Sequence, residues 1–255
     1  MRVAATDYDG TLCIDHVVAE ETLAAITRWR AAGNVFGIVT GRDLSMVVHE
    51  VDRWKIPVDF LVCCNGAVVY DGERTLLHSA DIPDCVVARV LRHPAALASV
   101  HYELCISGVV HLYIRDERSW FPKIGVPYRV ATLEEAVAAR GIQQISLSYF
   151  TAEEGKRHAD ALNESFSGEG VHAHQNKWCV DVTRSGVDKA SGILELLRLR
   201  GWPEEGLLAI GDGENDLSMI RHFNGVTVPG APDVVTSAAS GIYATVGAML
   251  TNAMP

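Results

Sequence analysis

Two carboxylates spaced two residues apart close a short apolar run near the start of the chain, Arg2-Val3-Ala4-Ala5-Thr6-Asp7-Tyr8-Asp9-Gly10-Thr11-Leu12. An apolar run bounded by turn residues reads as a buried strand. Side chains alternate along an extended backbone, so Asp7 and Asp9 start out on one face. Gly10 lets the chain turn sharply, and Thr11 adds a hydroxyl beside the acids. Like charges this close repel unless a cation lies between them or one keeps its proton. The first arrangement makes a metal site and the second a general acid. A solvated strand-to-loop turn accounts for a lone Asp-Xaa-Asp, whereas Asp-Xaa-Asp-Gly-Thr is much more specific. Three other segments carry matching groups: Thr40-Gly41-Arg42, Lys189, and a second acidic turn, Gly211-Asp212-Gly213-Glu214-Asn215-Asp216.

The elements that must position these groups follow from periodicity. Ala19 to Ala32 has helical spacing and stops at Gly33; Val35 to Val39 reads as a second buried strand. Asp43 is placed to cap a helix running to about Trp54. Phe60 to Cys64 is a third strand, Asn65-Gly66 a turn, and Ala67 to Tyr70 with Thr75 to His78 a hairpin closing at Asp71-Gly72. Strands alternating with helices predict βαβ units in a parallel sheet.

From Asp81-Ile82-Pro83 the pattern changes to helix, two strands, helix, strand, helix, two strands. The stretches are Cys85 to Arg92, Ser99 to Ile106, Val109 to Ile114, Leu133 to Ala139, Ile142 to Phe150, Glu153 to Phe166, Gly170 to His174 and Trp178 to Val182. This order describes an α+β unit with an antiparallel sheet. Residues 81–184 are therefore expected to be an inserted domain between core segments 1–80 and 185–255. The parallel pattern resumes with a helix from Lys189 to Arg200, a strand from Gly206 to Ile210 and a helix from about Leu217. Val226 to Val228 and Gly241 to Ala244 are expected as late strands. The fold class is α/β: a doubly wound, Rossmann-like parallel sheet core with an inserted α+β cap.

All four chemistry-bearing segments then lie at or beside the carboxyl ends of core strands, where ligands bind in open parallel sheets. Three carboxylates, a hydroxyl, an ammonium and glycine-exposed N–H groups suit a hard cation plus an anion. Oxygen-only ligands favour magnesium over zinc. Taken in order, Asp7-Tyr8-Asp9-Gly10-Thr11, Thr40-Gly41-Arg42, Lys189 and Gly211-Asp212-Gly213-Glu214-Asn215-Asp216 resemble the four motifs of the haloacid dehalogenase-like phosphohydrolases. The Asn65-Gly66-Ala67 turn and the order of the insertion are similar to the Cof-like sugar-phosphatase branch with its larger α/β cap.

The resemblance implies Asp7 as nucleophile and Asp9 as general acid, then base. It implies Mg²⁺ held by the Asp7 carboxylate, the Asp9 carbonyl and Asp212. Tyr8, Thr40, Gly41, Lys189 and Asn215 would bind the phosphoryl group, with Asp216 supporting the metal shell or Lys189 from behind. One departure stands in the rim: Val228-Pro229-Gly230-Ala231 occupies the place where many relatives carry an Asn-Ala pair. The implied activity is hydrolysis of a small phosphate monoester, a sugar or polyol phosphate, through an aspartyl-phosphate. A phosphomutase and a non-catalytic phosphate-binding regulator are the rival readings.

Composition bounds the partners. With 255 residues, 48% hydrophobic and 21% charged, the chain reads as an ordinary globular protein of one large or two modest domains. A formal charge of −10 argues against nucleic acid and anionic membranes as general partners. The six cysteines, Cys13, Cys63, Cys64, Cys85, Cys105 and Cys179, form no Cys-Xaa-Xaa-Cys pair. Buried thiols in a reducing cytosol are the expectation. The chain enters its first strand without a signal segment and has no long apolar run, so a cytoplasmic location is expected. His172-Ala173-His174 lacks a third ligand and reads as ordinary histidines. Cys63 and Cys64 face opposite ways on a strand and read as buried; Trp178 reads as a half-buried hydrophobe, and Arg115 and Lys177 as surface charge.

Overall fold

Short apolar runs, such as Val3–Thr6 before Asp7 and Leu208–Ile210 before Gly211, build the first sheet. The computed structural model describes residues 1–254. In chain order it begins with β1 (Val3–Thr6), α1 (Glu20–Ala31), β2 (Val35–Val39), α2 (Leu44–Trp54), β3 (Phe60–Cys63), β4 (Val68–Asp71) and β5 (Leu76–Ser79). Asp43 does cap α2: its Oδ1 accepts from the Met46 N–H at 3.1 Å and from Ser45 Oγ at 2.6 Å. The inserted stretch supplies α3 (Asp84–Arg92), α4 (Pro94–Ala98), β6 (His101–Ile106), β7 (Val109–Ile114), β8 (Tyr128–Val130), α5 (Leu133–Ala138), β9 (Ile142–Ser148), α6 (Ala152–Ser165), β10 (Val171–Asn176) and β11 (Cys179–Arg184). The chain finishes with α7 (Lys189–Arg200), β12 (Leu208–Ile210), α8 (Leu217–His222), α9 (Asp233–Ala238) and α10 (Val246–Ala253).

Backbone contacts divide the chain into two units, one of Met1–Thr40, Glu50–His78 and the segment from Asp188 onward, the other of Gly41–His49 and Ser79–Val187. The first unit holds a sheet in the order β12-β1-β2-β3-β4-β5. Its β12, β1, β2 and β3 run parallel, and β4 turns back antiparallel on β3. One apolar layer packs Ile193, Leu196 and Leu197 of α7 against Val3, Ala5, Val39 and Val62. Trp29 of α1 is fully buried and donates its indole N–H to Val35 O at 2.9 Å. Burying one large apolar side chain contributes roughly 1.5–3 kcal/mol, so such a layer dominates the stability of the sheet.

The second unit holds a sheet in the order β10-β11-β9-β6-β7-β8, antiparallel except for the parallel pair β7 and β8. Its two faces differ in kind. Tyr102, Leu104, Ile145, Leu147, Val180 and Val182 meet the apolar stripes of α3 and α6. The alternate positions His101, Ser146, Ser148, Asp181 and Thr183 are polar yet buried. They are satisfied by pairing: Ser119 Oγ and Glu103 Oε1 lie 2.9 and 3.1 Å from the two nitrogens of His101, and Ser146 Oγ donates to Asp181 at 2.6 Å.

Two expectations are corrected. Val226 to Val228 and Gly241 to Ala244 form no strands; Ile210 bridges Val226 and Thr227 bridges Ile242 as isolated contacts. Pro229 follows at once without an N–H, so the ladder has nothing to extend with. The unforeseen elements are α4, β8, α9 and α10, each short or without a clear period.

Candidate active site

The acidic turn is fixed from both ends. The Asp7 N–H donates to Ile210 O at 2.9 Å, which docks the end of β1 against the end of β12. Gly10 N–H to Cys13 O at 2.9 Å and Cys13 N–H to Tyr8 O at 2.8 Å then close the loop. Gly10 has φ +96°, and a Cβ there would stand 2.4 Å from Asp212 Oδ2, so both conformation and space demand glycine. Thr11 Oγ1 donates to Asp212 Oδ1 at 2.7 Å and joins the first acidic turn to the second.

The second turn is organised by Asp216. Its Oδ2 accepts from the N–H groups of Asp212 at 2.9 Å and Gly213 at 2.8 Å, folding the loop onto itself. Its Oδ1 lies 2.5 Å from Lys189 Nζ, and Asp7 Oδ1 lies 2.6 Å from the same ammonium. Lys189 is the first residue of α7, whose N-cap Asp188 accepts from Ser191 N–H at 2.8 Å. That cap fixes where the lysine leaves the helix.

Charge is unbalanced. Asp7, Asp212 and Asp216 offer oxygens that all lie within 4.8 Å of one another. One ammonium, with no solvent exposure, faces them. Burial pushes the Asp7 carboxyl well above its ordinary range; Lys189 pulls it back, and Asp216, Asp9 and Asp212 push it up again. Burial alone would lower the Lys189 ammonium, but its ion pairs with Asp216 and Asp7 outweigh that and hold it above its usual value. A hard divalent cation fits this donor set, because it offsets the surplus negative charge with oxygen ligands already gathered.

The other sequence-predicted residues fall as follows. Thr40 is buried, its N–H bonded to Val62 O at 2.8 Å and its carbonyl accepting from Asn65 N–H at 3.0 Å. The Gly41 carbonyl accepts from Gln144 Nε2 at 2.8 Å. Asp9 is exposed on the acidic turn. Asn215 Nδ2 donates to Asn65 Oδ1 at 3.1 Å. The Tyr8 ring is buried and its hydroxyl donates to Glu50 at 2.8 Å, so what Tyr8 can offer a phosphate is its main-chain N–H and not its ring. Asp216 stands inside the acidic cluster and not only behind it. Asn65 is the residue that sequence reasoning treated only as a turn; the Asn-Gly dipeptide carried the signal, because asparagine tolerates the left-handed backbone found there at φ +51°. Among the described residues the rings of His172 and His174 lie 4.6 Å apart, without a third side chain to complete a metal group. Cys63 and Cys64 are both buried.

Comparison with known proteins gives the family and the fold. A family model described as haloacid dehalogenase-like hydrolase matches residues 4–247. A curated relative, the pyridoxal phosphate phosphatase of Escherichia coli, is 26% identical over 254 residues, covering 94% of this chain and 92% of its own. A solved subclass IIB sugar phosphatase superposes with a TM-score of 0.79 at 23% identity, covering 99% of this chain and 97% of its own. A Cof-like hydrolase from Plasmodium vivax superposes with a TM-score of 0.86 at 20% identity, covering 99% of this chain and 95% of that one.

Proposed function

We propose that this chain, which belongs to the haloacid dehalogenase-like hydrolases and is a phosphatase of that family, hydrolyses a small sugar or polyol phosphate through an aspartyl-phosphate on Asp7. The observation that carries the reading is Lys189, a fully buried ammonium held at 2.6 Å from Asp7 and 2.5 Å from Asp216 beside the acidic cluster. A phosphoryl group set against Asp7 then meets a fixed positive charge, which stabilises charge on its equatorial oxygens.

In the first half-reaction Asp7 attacks phosphorus, the bond to the leaving oxygen breaks, and Asp9 gives that oxygen its proton. In the second, Asp9 takes a proton from water, water attacks the same phosphorus, and the Asp7 carboxylate departs with inorganic phosphate released. Thr40, the N–H groups of Gly41 and Tyr8, Lys189 and Asn215 hold the phosphoryl oxygens. Mg²⁺, held by Asp7, Asp212 and the Asp9 carbonyl with Asp216 in support, would offset the repulsion between an anionic nucleophile and an anionic ester. Residues 81–184 form the cap and decide which leaving group is accepted.

A second substrate reading has its own support: the relative named for pyridoxal phosphate covers 94% of this chain. The test is a phosphate-release screen with Mg²⁺ over sugar phosphates, pyridoxal phosphate and nucleotides, repeated with chelator and with Asp7→Asn. Turnover abolished by both controls is the expected result. An isomeric sugar phosphate formed from a bisphosphate primer, with little free phosphate, would replace the hydrolase by a mutase; phosphate binding without turnover on any ester would leave a regulator.

A further inference from the structure

We propose that Asn65 is a positioning residue of the phosphoryl site, whose carboxamide fixes which face of Asn215 meets the phosphate. Cys64, Asn65 and Gly66 take φ of +52°, +51° and +104° in succession, a sparsely populated run for two non-glycine residues. Such strain persists only where the surroundings over-determine it. Three segments do so here. Asn65 is buried, its N–H donates to Thr40 O at 3.0 Å, and its Oδ1 accepts from Asn215 Nδ2 at 3.1 Å. Gly66 rests on the start of α7: a Cβ on it would stand 2.0 Å from Asp188 O, and one on Gly192 would stand 2.6 Å from the Gly66 Cα. Thr40, the helix that begins at Lys189, and Asn215 thus all brace against one two-residue turn.

The chemistry of the amide gives this brace a task. An amide nitrogen carries two protons, and its partner oxygen carries none. Asn65 Oδ1 accepts one of the two N–H groups of Asn215 Nδ2, so a flipped amide would set oxygen against oxygen, and the second N–H of Asn215 is the one left to present to an anion. This inference rests on the phosphatase reading, which gives Asn215 a phosphoryl oxygen to face.

The test uses Asn65→Gly, Asn215→Ala and the double variant. Glycine accepts φ +51° without strain, so Asn65→Gly keeps the backbone and removes only the carboxamide. The expected result is a fall of about tenfold or more in kcat/KM, since a hydrogen bond to a charged group is at stake. Affinity for inorganic phosphate by calorimetry falls with it, the thermal midpoint stays near wild type, and the double variant is no worse than Asn215→Ala alone. Losses that multiply in the double variant, or equal phosphate affinity in wild type and Asn65→Gly, would overturn the proposal. Should wild type release phosphate from no ester, the phosphatase reading fails; the phosphate affinities of wild type and Asn65→Gly still decide the role of Asn65.

Discussion

Lys189 has no solvent exposure and sits between two carboxylates, so its removal should do more than silence the site. Taking away one partner of a buried ion pair leaves charge uncompensated and costs roughly 3–5 kcal/mol. Lys189→Met is therefore expected to lose turnover and to lower unfolding free energy by about that much in urea titrations. A fully stable variant would mean that Asp7 and Asp216 do not depend on the ammonium. Gly10→Ala should act on the metal instead, because a Cβ would stand 2.4 Å from Asp212 Oδ2. Its expected signature is weakened Mg²⁺ activation, read as a raised metal concentration for half-maximal rate; unchanged activation would show that Asp212 can yield. At this scale the gathering of Asp7 with Asp212 was legible, because carboxylates at the ends of neighbouring buried strands converge on one sheet edge. The direction of the Tyr8 ring and the bracing by Asn65 were not, since both depend on partners at Glu50 and Asn215 far along the chain.

At the scale of elements, legibility followed period and punctuation. α7 and β7 begin and end where their patterns do, and Gly33 stops the α1 region as expected. β8 was hidden because Tyr128–Val130 is three residues long and gains strand geometry only by pairing with β7. The polar face of the second sheet was equally hidden: alternation shows that a face is polar, not that it is buried. That burial predicts a pH effect. His101 is pushed down by burial from 6.5 to about 4. The unfolded chain then binds the extra proton first, so His101 supports stability above about pH 6.5, and this support is lost as pH falls toward 4. Glu103, raised by burial and by Asp43 and Asp181, acts in the opposite sense. His101→Gln keeps hydrogen-bonding atoms but cannot titrate, so the stability difference from wild type should shrink across that window; a constant difference would contradict the assignment.

For the whole molecule, no described helix is long and apolar enough to cross a membrane. Specificity is proposed to lie in residues 81–184, among them exposed Arg115, Lys177 and Trp178. Substitutions there should reorder substrate preference while leaving the aspartyl-phosphate step intact; equal losses on every ester would make them structural. The central claim, covalent transfer to Asp7, is tested most directly by trapping. Wild-type protein turning over its best ester with Mg²⁺ is quenched in acid and reduced with borohydride, and its peptides are weighed. Conversion of Asp7 to homoserine, dependent on substrate and absent without it, is the predicted result; steady turnover with Asp7 unmodified, or undiminished turnover in Asp7→Asn, would contradict it.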